Sequence, residues 1–232
     1  MDIIIPIITS LVSKDTSYDS LFDQFITKCL ETYDEPVHSL QEMREKRSTK
    51  RKGDIFEAFC VLYLQMLGYK AWVLKEVNEE ILEDCGLGRF DVGIDIIAFK
   101  YDLYYAVQCK FKKPRPGFVK GTWLPYNCVN WKEVSTFFSL CHRTQTKANW
   151  KRHIVMTNTK HVRRMGQATQ YDKTYAYGTF NTMTRIQFTK LLESIQVVKQ
   201  YVPRQIINID DESKQDIRSI EDVRAARLKK FM

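Results

Sequence analysis

Between Ile55 and Leu67 the chain is apolar almost all round, with Glu57 as the one ionisable carboxylate or base in the run, and Gly68 stops it. A helix of that composition has no wet face to offer and must be buried against a sheet. The residues that follow supply the sheet. Tyr69 to Val77, Phe90 to Phe99 and Leu103 to Phe111 read as three strands, the last two joined by a short Lys100-Tyr101-Asp102 turn. Trp131 to Cys141 reads as a helix, His153 to Thr157 as a short buried strand, and stretches near 160 to 168 and 184 to 195 as further helices. The expected fold class is α/β, an α+β mixed sheet with the core order αβββαβ and added N- and C-terminal helices.

Upstream, Tyr18, Leu21, Phe22, Phe25, Ile26, Cys29 and Leu30 recur at helical spacing, so residues 17–33 should form an amphipathic helix that Pro36 ends. Residues 44–52 form a basic connection, open to reading as a solvated linker or as a phosphate contact. After Pro203 a mixed-charge tail, Asp210 to Met232, carries Ser219-Ile220-Glu221-Asp222 as a helix start and is expected to be peripheral or to bind a partner protein. The expected organisation is therefore residues 1–52 as a helical extension and linker, 53–200 as the core, and 201–232 as a charged tail.

A net charge of +8 and a pI near 9.1 point to a polyanionic partner, nucleic acid first and an acidic membrane surface second. No stretch approaches the roughly 18 apolar residues of a transmembrane helix. The opening Met1 to Ile8 run carries an acid in place of a basic n-region and lacks a small-residue cleavage site, so an intracellular protein of cytoplasm or nucleus is expected. The six cysteines form no C-x-x-C pair and several sit in apolar helical or strand patterns, which makes reduced, buried thiols the expectation. The four histidines lack zinc-ligand spacing with them.

The chemistry-bearing residues cluster on the expected strands. Alternation puts Asp91, Gly93 and Asp95 on one face of one strand, and Gln108 and Lys110 on one face of the next. Charges flanked by Ile, Val and Phe are costly unless a metal, a phosphate or a partner compensates them. The plain alternative is a cross-strand ion pair between Asp95 and Lys110. For Glu57 the plain alternative is a first-turn helix acid favoured by the macrodipole near Gly53 and Asp54.

The motif G-x-x-F-E (Gly53 to Glu57) on a helix, Gly93-Ile94-Asp95 on a strand and Gln108-Cys109-Lys110 on the next resemble the Mrr-like branch of the PD-(D/E)xK restriction-endonuclease superfamily. The resemblance spans about residues 53–165, including the later helix and the His153 to Asn158 strand. It implies a restriction-endonuclease-like core and an Mg²⁺- (or Mn²⁺-) dependent endonuclease acting on DNA. Glu57 and Asp95 would help hold the metal, and Lys110 would assist the attacking water or the charged transition state. Many superfamily members carry an acid where Gln108 stands; here an amide oxygen is the donor, with less attraction for a hard cation. Glu57 or Asp91 would then supply the missing carboxylate, although Asp91 would lie about 13 Å from Asp95 along an extended strand.

Two basic segments are candidates for gripping nucleic acid. Lys112, Lys113, Arg115 and Lys120 alternate with Trp123 and Tyr126 in a Pro/Gly-rich loop after the third strand, suited to phosphate contacts and base stacking, or else to aromatics packed on the core. Arg143, Lys147, Lys151, Arg152, Lys160, Arg163 and Arg164 form a run free of acids between its ends, read as a phosphate contact or a solvated face. Three functions compete: an endonuclease, a structure-selective nuclease with the same site, and a non-catalytic nucleic-acid-binding or assembly module. Double-strand cleavage by one site per chain would favour a homodimer.

Overall fold

The computed structural model describes residues 4–13, 20–34, 39–41, 49–113, 118–119, 122–123, 128–163 and 169–200. Residues 1–197 form one compact unit, and residues 198–232 cluster separately. The expected tail helix, the loop residues Arg115, Lys120 and Tyr126, and Arg164 lie outside the described residues.

Along the described residues the order is α1 (Ile4–Ser13), α2 (Leu21–Asp34), α3 (Thr49–Met66), β1 (Lys70–Val73), a 3₁₀ turn (Leu74–Glu76), α4 (Glu79–Cys85), β2 (Ile96–Lys100) and β3 (Leu103–Lys110). There follow a short hairpin of β4 (Phe118–Val119) and β5 (Thr122–Trp123), then α5 (Trp131–Ala148), β6 (Arg152–Thr157), β7 (Asp172–Tyr175), α6 (Tyr177–Asn181) and α7 (Arg185–Gln200). The main sheet has the order β1-β2-β3-β6-β7, antiparallel from β1 to β3 and parallel from β3 to β7. This is a mixed α/β fold containing the expected αβββαβ core.

Each sheet face is covered. Ile96, Ala98, Tyr105, Val107, Ile154 and Met156 pack with α1, α2, α3 and α7, while Ile97, Ala106 and Val155 pack with α4 and α5. Phe56, Phe59 and Cys60 of α3 are fully buried, as an all-round apolar helix between a sheet and two further helices requires. Ile4, Ile8, Phe22 and Phe25 of the N-terminal helices belong to that same cluster.

Several boundaries depart from the sequence reading, each for a physical reason. α3 begins at Thr49, so Lys50, Arg51 and Lys52 are helical instead of forming a connection. The first strand ends at Val73, where Leu74 N–H bonds to the Asp95 carbonyl and the chain turns. The second begins at Ile96 and not at Phe90, because residues 88–95 form a loop in which Gly93 takes φ +124°. A Cβ there would lie 3.1 Å from the Phe137 backbone, so the loop lies directly on α5. Residues 160–163 are not helical; Val162 pairs with Val129 in an isolated bridge. The fifth strand, β7, was not anticipated: Asp172-Lys173-Thr174-Tyr175 alternates too weakly to signal one and pairs only because β6 presents a free edge.

Candidate active site

One end of the sheet collects the candidate residues. The antiparallel register pairs Ile96 with Val107, which brings the residue before β2, Asp95, opposite Gln108. Gln108 is 4% exposed, and its Nε2 donates to Asp95 Oδ2 at 2.5 Å. The Cys109 backbone N–H donates to the same oxygen at 2.7 Å. Asp95 and Lys110 are therefore not a cross-strand ion pair: the cross-strand partner of the acid is the amide. Burial pushes the Asp95 carboxyl up, against the opposing effects of these two hydrogen bonds and the Lys110 ammonium.

Glu57 lies two turns into α3, eight residues beyond Thr49, too deep for the macrodipole of the first turn to account for it. Its carboxyl is pushed up to about 7, chiefly by burial and then by the negative charges of Asp95 and Asp54, with Lys75 and Lys110 pulling the other way. Glu57, Asp95 and Lys110 thus lie within one electrostatic neighbourhood. Neither the Glu57 carboxyl nor the Lys110 ammonium makes a hydrogen bond or ion pair with any described residue. Sequence reading missed Lys75, which reaches this neighbourhood only because the 3₁₀ turn ends β1 beside Asp95.

The main chain around Lys110 is clamped by residues to which the sequence reading gave no role. Thr157 Oγ1 donates to the Lys110 carbonyl at 2.7 Å. Asn158, 1% exposed, accepts from the Lys112 N–H at 2.8 Å and donates to the Lys112 carbonyl at 2.7 Å. The signal was the polar triplet Thr157-Asn158-Thr159 closing an apolar strand, since buried polar side chains need partners.

The remaining candidates scatter. Asp91 is a clasp of the 88–95 loop: Oδ2 accepts from Gly88 N–H at 2.7 Å and Oδ1 from Arg143 at 3.1 Å, so both of its oxygens already have partners within the protein. Lys112 Nζ bonds Glu133 at 2.7 Å and the Cys128 carbonyl at 3.0 Å, tying β3 to the start of α5. Lys113 and Arg163 are exposed at the Lys110 end of the sheet. Lys151 and Arg152 are not: Arg152 pairs with Tyr105 and Thr157 with Lys110, which separates them by about 16 Å of strand.

The donor set fits a hard divalent cation. Among the described residues Asp95 Oδ1 and the Glu57 carboxylate are without hydrogen-bond partners, and Gln108, having given its nitrogen to Asp95, retains its amide oxygen. Two mutually repelling acids indicate negative charge that a cation would relieve. Among the described residues no three His, Cys, Asp or Glu side chains come together as a ligand cluster, so these two carboxylates would need completion by neutral oxygens. Cys60 and Cys109 lie beside one another behind the site, but burial pushes both thiols up and keeps them protonated. Among the described residues no helix is long and apolar enough to cross a membrane.

No curated protein matches the chain. The crystal structure of a protein of unknown function, AF1548, is similar at 17% identity over 73% of this chain and 76% of that one, with a TM-score of 0.35, too distant to carry an argument. A restriction endonuclease family of the Mrr catalytic type matches residues 69–205, a range that takes in Asp95, Gln108 and Lys110 but begins after Glu57. With that match covering more than half of its length, this chain belongs to the Mrr-type restriction endonuclease family of nucleases.

Proposed function

We propose that the chain is a metal-dependent DNA endonuclease that hydrolyses phosphodiester bonds at the Glu57, Asp95, Gln108 and Lys110 site. The observation that carries this reading is the presence of a half-buried ammonium and a half-buried carboxyl, Lys110 and Glu57, neither of which has a hydrogen-bond or ion-pair partner among the described residues. Unsatisfied charge is costly away from water, and a phosphate with its cation would complete both.

Glu57, Asp95 and the Gln108 amide oxygen would hold Mg²⁺ or Mn²⁺, which when bound polarises a phosphate and lowers the pKa of a water. Gln108 and the Cys109 N–H aim Asp95 by fixing one of its oxygens. Lys110 directs its ammonium at a non-bridging phosphate oxygen and stabilises the charge that grows there as water attacks phosphorus. One P–O bond forms to the water oxygen and one breaks to a sugar oxygen; the water releases a proton to solvent and the leaving oxygen gains one. Lys113 and Arg163 supply phosphate contacts at the same end of the sheet. Two copies acting together would cut both strands, and the C-terminal tail would serve a partner protein.

The test is cleavage of linear, supercoiled, branched and single-stranded DNA with Mg²⁺, Mn²⁺ or EDTA by wild type, Asp95→Ala and Lys110→Ala. Metal-dependent cutting that falls on the order of 100-fold in both variants is expected. A folded wild type that cuts none of these substrates would sink the reading in favour of a binding module.

A further inference from the structure

The loop between α4 and β2, which ends at Asp95, holds a bare aromatic. Phe90 is 92% exposed and Val92 75%, against the strong tendency of such side chains to be buried. The loop beneath them is tightly held. Arg89 pairs with Glu79 and donates to the Lys75 carbonyl at 2.9 Å; Asp91 holds Gly88 N–H and Arg143; Gly93 lies against the α5 backbone. Phe90 is thus presented outward by a braced support, and nothing in the fold requires it there.

Its position and chemistry say what it meets. Arg89 is anchored on Lys75, whose ammonium acts on Glu57, and Leu74 N–H bonds to the Asp95 carbonyl, so the loop borders the acids. The charges on either side of Phe90 are neutralised within the protein, Arg89 by Glu79 and Asp91 by Arg143. The tip therefore offers an uncharged ring face beside a site for phosphate. A phosphate gains little from such a surface, whereas a base out of its stack gains about 1–3 kcal/mol by stacking on an aromatic ring. We propose that Phe90, flanked by Val92, is a positioning residue that stacks on a displaced or unpaired base next to the scissile phosphate, which makes DNA with an unstacked base the preferred substrate. This rests on the nuclease reading and adds the substrate class to it.

The experiment compares binding (EDTA) and cleavage (Mg²⁺) of plain duplex with duplex carrying a bulged or forked 2-aminopurine, for wild type, Phe90→Ala, Phe90→Trp and, as control, Tyr101→Ala. Tyr101 is also an exposed aromatic, at 80%, but lies in the β2–β3 turn at the far end of the sheet. Wild type and Phe90→Trp should favour the bulged or forked DNA about tenfold and quench the 2-aminopurine on binding. Phe90→Ala should lose the quenching and most of the preference while keeping its duplex affinity and melting temperature, and Tyr101→Ala should behave as wild type. If Phe90→Ala keeps both preference and quenching, or wild type cuts plain duplex equally well, the inference falls and the nuclease reading stands. A wild type that neither binds nor cuts any of these DNAs overturns both.

Discussion

Gln108 donates its amide hydrogen to Asp95 across the β2–β3 hairpin at 2.5 Å, and in doing so decides how the central acid of the site is aimed. An acid at position 108 would set two carboxylates against one oxygen position. The amide removes that repulsion and adds a donor, and it keeps Asp95 Oδ1 open.

From this pairing, Gln108→Glu should be destabilising by about 1–3 kcal/mol at pH 8, the magnitude of a buried hydrogen bond replaced by an unsatisfied group. Protonating one of the two acids restores a donor, so the loss should shrink at pH 5. Added Mg²⁺ should also reduce it. Denaturant melts at both pH values, with and without the ion, provide the measurement; a pH-independent loss would contradict this account of the pair.

Lys110→Met should separate activity from stability. Its ammonium has no partner to lose among the described residues, so the melting temperature should hold or rise slightly while cleavage falls on the order of 100-fold. Removing the ammonium also removes one influence that lowers the Glu57 pKa, so that carboxyl should titrate higher still. Carbon-13 NMR of labelled Glu side chains in the two proteins reads the shift.

Glu57 sets a pH dependence of stability whose sign is opposite to that of a salt-bridged acid. Its carboxyl titrates at about 7 in the folded protein against 4.5 ordinarily, so the folded state holds the proton more tightly than the unfolded chain. The destabilisation is absent below pH 4.5, grows between 4.5 and 7, and is fully present above 7. Glu57→Gln should therefore be neutral at pH 4.5 and more stable than wild type at pH 8. With solvent screening of a half-buried group the gain is on the order of 1 kcal/mol. Mg²⁺ should raise the wild-type melting temperature more at pH 8 than at pH 6, because ligation needs the deprotonated form, and should have little such effect on Glu57→Gln.

Gly93→Ala tests the loop that carries both Asp95 and Phe90. At φ +124° any side chain is strained, and its Cβ would meet the Phe137 backbone at 3.1 Å, where nothing flexible can give way. A loss of about 2–3 kcal/mol is expected, with cleavage reduced further than stability explains as Asp95 shifts. Urea unfolding together with activity at a temperature where both proteins are folded distinguishes the two effects.

The hydrophobic pattern alone determined the class of fold: an all-round apolar helix needs a sheet, and the alternating runs after Gly68 provide it. Motif order pointed to the family that residues 69–205 match, since Asp95, Gln108 and Lys110 are legible as acid, amide and base at the ends of neighbouring strands. The alternation of β3 also correctly set Gln108 and Lys110 apart from Val107 and Cys109. What the pattern could not reach was anything set by register, turns or backbone conformation. The expected strand from Phe90 ignored Gly93, whose left-handed backbone belongs to a loop in which Asp91 bonds Arg143 and Phe90 is exposed. Only the tertiary structure decided that Asp95 faces Gln108 instead of Lys110, that Lys112 is tied to Glu133, and that Thr157 and Asn158 clamp the end of β3. Burial and periodicity are local properties of a chain, whereas the partner of a buried polar group is chosen by whichever residues the packed sheet brings within about 3 Å of it.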